Sequence, residues 1–263
     1  SLHDALPIYE VARAAGQQLT GVSPAIIKDI VWSRAFSLDA QAKTLTISLV
    51  PSSNAFAFRA FSETNGLEQI HVQGRIELAT TLEKSTSIAQ AKDGLESIQT
   101  IRQRCSKVVQ QAAIYNQFTQ LGLELGDSFR SVQNVYVGES ESLGQLKLPE
   151  HLLKELSQWV LHPALIDGAL QTAIQMLDGA ADKLHIPFAL DRIEIFAIIP
   201  PNCHVHAREI KSQSPGRTGH RFDIAILNES NQVVAQLTNF VARAIEKISD
   251  QPAPTSTLET SHS

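Results

Sequence analysis

From Tyr9 to Leu19 the run YEVARAAGQQL places Val11, Ala12, Ala15 and Leu19 at helical spacing, and Gly21 supplies a stop. The period then changes. Four runs rich in β-branched and aromatic residues follow: AIIKDIVWSRAF, KTLTISLVPS, NAFAFRAFSE and EQIHVQGRIEL. They are separated by turn signals at Asp39-Ala40, Ser52-Ser53-Asn54 and Asn65-Gly66. Residues 9–80 are therefore expected to form a helix followed by an antiparallel meander. From Ala79 to about Lys92 the chain turns to Thr, Ser, Glu, Lys and Ala, which predicts a linker over residues 81–100.

The second half, residues 101–247, repeats the plan. A polar, helix-prone stretch, AAIYNQFTQLGLELGDSFRSVQNVYVG, precedes the apolar helical segment WVLHPALIDGALQTAIQML, Trp159 to Leu177. Strand-like runs come next, HIPFALDRIEIFAII, NCHVHAREIKS and HRFDIAILNESNQVVAQLTNFVARAIE. Two helix-plus-meander halves with little residue identity predict an α+β fold in which a pair of antiparallel sheets each wraps one central helix. Residues 248–263 are rich in Pro, Ser and Thr without apolar periodicity and predict a disordered tether to a neighbouring domain.

Composition narrows the classes of function. At 263 residues and 43% hydrophobic the chain can bury a sizeable core. A net charge of −5 with both signs interspersed, and no Lys/Arg-rich run, argues against nucleic acid as a partner. The apolar runs fall short of the roughly 18 residues that cross a bilayer, and the first residues lack the layout of a signal peptide. No membrane association and a cytoplasmic location are expected. Cys105 and Cys203 have no CxxC partner and read as reduced structural thiols.

The candidate chemistry lies in the Trp159–Leu177 segment. Pro163 suits a first helical turn, and Gln171 lies one turn beyond Asp167, so an acid and an amide share a face. The remaining positions are apolar almost all round, as in a helix buried in a sheet. A carboxyl there sits in low dielectric, which disfavours the charged form and suits a general acid. The competing reading is a structural Asp that caps a turn or pairs with an Arg. His204 and His206 share a strand face but lack a third ligand, so no metal is expected. His71 and His185 fall in strands, while His151, His220 and His262 fall near turns or in the tail; all read as structural.

LHPALIDGALQTA resembles the HPxxxDxxxQ motif of dehydratase domains of modular polyketide synthases. GLELGDSF resembles that family's GxxYGPxF element, keeping Gly122, Gly126 and Phe129 but carrying Leu125 for the Tyr and Asp127 for the Pro. HIPFAL resembles LPFxW, keeping Pro187 and Phe188 with Leu190 in place of the Trp. YEVARAAG resembles the helix YLEMARAAG, so the likeness runs from about Tyr9 to Glu246 in order. The resemblance implies a double hotdog fold and a hydro-lyase that removes water from a β-hydroxyacyl chain on the phosphopantetheine arm of an acyl carrier protein. Beyond that arm no cofactor is implied. A His from the first hotdog would take the α-proton and Asp167 would protonate the departing hydroxyl. Gln171 would orient Asp167 or the hydroxyl, and His162 and Pro163 would set the start of the helix. The acyl carrier protein and neighbouring synthase domains are the implied partners, with a homodimer in the intact synthase.

The first half departs from that pattern. The family's base sits in HxxxGxxxxP ahead of the first helix; here the register puts the Pro at Asp4 and the His ahead of Ser1, so neither His3 nor Pro7 fits. The opening SLHDALPI resembles the translation of a sequencing-library adapter, so residues 1–8 are expected to be non-native and the first hotdog incomplete. Two alternatives stay open: a pyran-forming cyclase or double-bond-shifting relative, and a non-catalytic scaffold that docks a carrier protein.

Overall fold

The computed structural model describes residues 7–33, 44–52, 55–64, 66–77, 96–177, 183–211 and 219–245. The expected tether and most of the expected linker lie outside the described residues, as do His3 and Asp4. Helix α1, Pro7–Thr20, therefore includes Pro7 and Ile8, and Ile8 is buried. It stops where expected: Gly21 takes φ +71° and its N–H donates to the Gln17 carbonyl at 2.8 Å.

The buried face of α1 differs from the apolar stripe read in the sequence. Val11 is 43% and Leu19 65% exposed. The covered face carries Ile8, Tyr9, Ala12 and Gly16, and with them Glu10 and Arg13. A charged pair can occupy such a face because the guanidinium forks onto the carboxylate, Nε to Oε2 at 2.8 Å and Nη2 to Oε1 at 2.7 Å.

Strands β1 (Ile26–Trp32), β2 (Thr46–Ser52), β3 (Ala55–Thr64) and β4 (Leu67–Glu77) match the four runs of the first half. The second half is richer than expected. After α2 (Ile98–Arg104) come β5 (Lys107–Gln110) and α3 (Gln111–Gln120), then β6 (Val132–Val137) and β7 (Glu141–Lys147). Only α3 and a short 3₁₀ turn, Asp127–Phe129, give helical structure to the stretch read as helix-prone. A 3₁₀ segment, Glu150–Gln158, leads to α4, Pro163–Ile174. The strands β8 (Leu184–Ile195), β9 (Asn202–Glu209), β10 (His220–Leu227) and β11 (Val233–Ile245) follow.

The eleven strands of the described residues join one sheet, in the order β2-β3-β4-β1-β8-β11-β10-β9-β7-β6-β5, rather than the pair of sheets expected. The joint is the antiparallel β1–β8 pair, with Ile27 opposite Ile193 and Val31 opposite Ala189. Helix α1 packs against β2, β3 and β4, and α4 against β6, β7, β9 and β10. Each half of the sheet thus covers one helix.

Every residue of α4 is buried. Apolar side chains such as Leu165, Ile166 and Leu170 each contribute about 1.5–3 kcal/mol by leaving water. The helix can approach the sheet closely because small residues line the seam. A Cβ on Gly168 would run into Ser131 Oγ and stand 2.8 Å from Leu146 Cδ2, and one on Gly144 would meet Thr172. Hydroxyls fasten the same seam: Ser131 Oγ donates to the Ala164 carbonyl at 2.8 Å and Ser142 Oγ to the Thr172 carbonyl at 3.0 Å.

Both cysteines are buried free thiols. On the other side of the sheet, Glu141 accepts from Arg104 at 2.6 Å and pairs with His206 at 2.8 Å. Arg104 first, then His206, hold its carboxyl down at about 2. His206 therefore serves an ion network. His162, His185, His204 and His206 all have pKa values pushed below 6.5, with burial the first cause in each. The unfolded chain then binds protons more readily than the folded one. The resulting stability is complete above about pH 6.5 and is lost as the pH falls through the lower folded values. The melting temperature is expected to be lower at about pH 5.5 than at about pH 7.5; a value that holds or rises over that interval contradicts this account.

Candidate active site

The start of α4 is built by its own sequence. His162 is the N-cap: its Nδ1 accepts from the Ala164 N–H at 3.2 Å, and its carbonyl accepts from Leu165 and Ile166 at 3.0 and 3.1 Å. Pro163 occupies the first turn, where its missing N–H costs nothing. Burial lowers the His162 pKa, which keeps Nδ1 an acceptor, and the ring leans on Trp159 at 5.7 Å. His162 and Pro163 thus stand at the mouth of α4. His162→Ala is expected to destabilise the chain by about 0.5–2 kcal/mol, the range for a lost N-cap; chemical denaturation measures it, and an unchanged midpoint contradicts the cap.

One and a half turns further on, Asp167 is 2% exposed, as is Gln171. The Gln171 amide Nε2 donates to Asp167 Oδ2 at 2.7 Å and to the Phe129 carbonyl at 3.1 Å. The spacing of four residues thus brings acid and amide together. Phe129 is fixed in turn by Tyr115, whose hydroxyl accepts from the Val132 N–H at 3.0 Å and donates to the Phe129 carbonyl at 3.5 Å. Phe129 joins the site through its backbone. Gly122 and Gly126 shape the turn that delivers it: Gly122 follows α3 with φ +85°, and Gly126 opens the 3₁₀ turn. Leu125, which replaces the motif's Tyr, is buried, and its carbonyl accepts from Arg130 Nε at 2.9 Å. Pro187 and Phe188 lie on β8 opposite β11, with the Arg243 guanidinium 3.2 Å over the Phe188 ring.

Two tyrosines not singled out in the sequence sense the same carboxylate. Tyr9 on α1 and Tyr115 on α3 both have phenols raised above the ordinary value, by burial first and by the charge of Asp167 as a further cause. Both stay protonated. The Tyr9 hydroxyl, His162 Nε2 and Gln171 Oε1 are buried polar atoms without a hydrogen-bond partner among the described residues. The position of Tyr9 on the helix of the other half of the sheet is what hid it from a local reading. Tyr115 also lines a surface cavity of about 540 Å³ with Arg130, Lys147 and His151, whose walls include neither Asp167 nor Gln171.

Among the described residues no three His, Cys, Asp or Glu side chains converge on a metal position, and no helix is long and apolar enough to cross a membrane. The arrangement fixes one buried carboxyl group beside an amide donor, the layout a general acid needs.

Residues 94–252 match the family described as polyketide synthase dehydratase N-terminal domain. Polyketide synthase PksM of Bacillus subtilis is 29% identical over 249 residues, covering 90% of this chain and 6% of that protein. PksL of the same organism is 27% identical over 261 residues, covering 95% and 5%. The chain therefore spans a small fraction of these relatives. Among solved structures, a trans-AT polyketide synthase dehydratase domain from Brevibacillus brevis superposes with a TM-score of 0.81 at 22% identity, over 92% of this chain and 85% of that one. The dehydratase domain of the CurF module of the curacin polyketide synthase gives 0.78 at 20%, over 92% and 84%. These likenesses show the fold.

Proposed function

The chain belongs to the polyketide synthase dehydratase family, and on that premise we propose that it supplies the acid half of a hydro-lyase acting on a β-hydroxyacyl thioester. The observation that carries this reading is the buried Asp167–Gln171 pair at the centre of α4. The thioester acidifies the α-carbon. A base removes that proton, the bond to the β-oxygen breaks, and Asp167 gives its proton to the departing hydroxyl, leaving water and an α,β-unsaturated thioester. Gln171 Nε2, donating to Oδ2, holds the carboxyl group of Asp167 in place for that transfer. The carbonyl end of the same amide, Gln171 Oε1, is the acceptor offered to the leaving hydroxyl.

In this reading the two halves of the sheet are two hotdog units, α1 in one and α4 in the other. The substrate arrives on the phosphopantetheine of an acyl carrier protein, and the neighbouring synthase domains hold the unit in place. Asp4 stands where the family's base motif has its Pro, and the register of the motif's His falls ahead of Ser1. The test is dehydration of a short β-hydroxyacyl thioester on an acyl carrier protein, followed as the mass loss of one water, with this chain beside one extended upstream by its genomic residues. Dehydration by the extended form is expected. If neither form dehydrates yet both bind the carrier protein, the chain is a docking scaffold; if the extended form closes a ring or shifts a double bond instead, it is a relative of that kind.

A further inference from the structure

Resting on the reading of Asp167 as the working group, we propose that Glu10 and Arg13 of α1 are positioning residues for it, acting across the two halves of the chain. The Glu10 carboxylate does more than pair with Arg13. Its Oε1 accepts from the Val160 N–H at 3.1 Å and its Oε2 from the Leu161 N–H at 3.2 Å, each about 150 residues away in sequence. Both side chains of the pair are buried. Arg13 is held in turn by Gln17 Oε1 and Ser23 Oγ, both at 2.9 Å.

Val160 and Leu161 lead directly into the cap His162. The Val160 carbonyl accepts from the Ile199 N–H at 3.3 Å, so this two-residue lead is pinned from α1 on one side and from the segment after β8 on the other. A helix is stiff along its axis, so the place where α4 begins sets where Asp167 sits, six residues beyond Leu161. A buried ion pair adds little net stability over apolar packing. What this pair supplies is register: four donors converge on one carboxylate, and two of them are the backbone of the catalytic helix's approach. The two helices also meet electrostatically, since the Asp167 charge raises the phenol of Tyr9, the residue before Glu10.

The experiment is solution NMR on the chain itself and involves no turnover, so it can fail while the dehydratase reading stands, and the reverse. The reporter is the side-chain amide of Gln171, which hydrogen-bonds to Asp167. Glu10→Gln puts an NH₂ where an acceptor faced a backbone donor. Exchange of the Val160 and Leu161 amides is expected to quicken by about tenfold or more, as for a lost bond to a charged acceptor. The Gln171 side-chain resonances are expected to shift with it. Arg13→Lys, which keeps the charge but loses the fork, should give the same changes in smaller degree, and it carries the test if Glu10→Gln does not fold. Ser23→Ala and Gln17→Ala, which leave the fork on Glu10, should leave Gln171 unmoved. A folded variant with faster exchange at Val160 and Leu161 but unchanged Gln171 resonances overturns the proposal and leaves a purely structural pair.

Discussion

Asp167→Asn in an upstream-extended form of the chain lowers the dehydration rate by about 100- to 10,000-fold, the usual contribution of a positioned general acid. The fold is expected to survive. Asn is isosteric with Asp, and its amide oxygen can keep the bond from Gln171 Nε2 that now ends on Oδ2. The melting temperature should therefore move little while turnover collapses. Carrier-protein binding provides the second readout, because a docking surface does not need this proton. Loss of rate with binding retained places Asp167 in the chemistry. A rate within about threefold of the parent would remove Asp167 from the mechanism, since even weak general acids contribute about a hundredfold.

The part of this site that was legible in the sequence is the part made by one helix. His162, Pro163, Asp167 and Gln171 are close in sequence, and helical spacing alone predicts that the cap, the acid and the amide line up. The four runs of the first half became β1 to β4 because their β-branched and aromatic content is local information. The strands β5, β6 and β7 were missed for the opposite reason. Gln133, Asn134, Ser142, Gly144 and Gln145 are poor strand residues taken singly; β6 and β7 pair with each other, and β7 is tied into the rest of the sheet by β9, about 60 positions further along the chain. The single sheet was hidden in the same way, because the β1–β8 pair that fuses the halves joins residues about 160 positions apart. On α1, the apolar stripe read in the sequence ran through Val11, Ala12, Ala15 and Leu19 and did not include Glu10 or Arg13. The fork from Arg13 together with the backbone N–H groups of Val160 and Leu161 explains why that pair can be buried.

Gly168→Ala tests whether the close seat of α4 on the sheet is what places Asp167. Alanine is the better helix former by about 1 kcal/mol, so in an open helix this change would stabilise. Here the added Cβ would run into Ser131 Oγ and lie 2.8 and 3.2 Å from Leu146 Cδ2 and Cγ. Ser131 cannot swing away without releasing its bond to the Ala164 carbonyl, one turn before Gly168. Overpacking of this kind costs about 1–3 kcal/mol, with a lower melting temperature by roughly 2–4 °C for each kcal/mol. Relief comes from lifting α4 off β6 and β7, which carries Asp167 with it. A misplacement on the order of 1 Å can cost about a hundredfold in rate, so the extended chain should lose activity as well as stability. Gly126→Ala is the matched control for stability: its φ is −63° and a Cβ there meets nothing within 4 Å, so the melting temperature should not change. If Gly168→Ala melts like the parent and dehydrates at the parent rate, the seam is slack, and the position of Asp167 must be set from the other end of the helix.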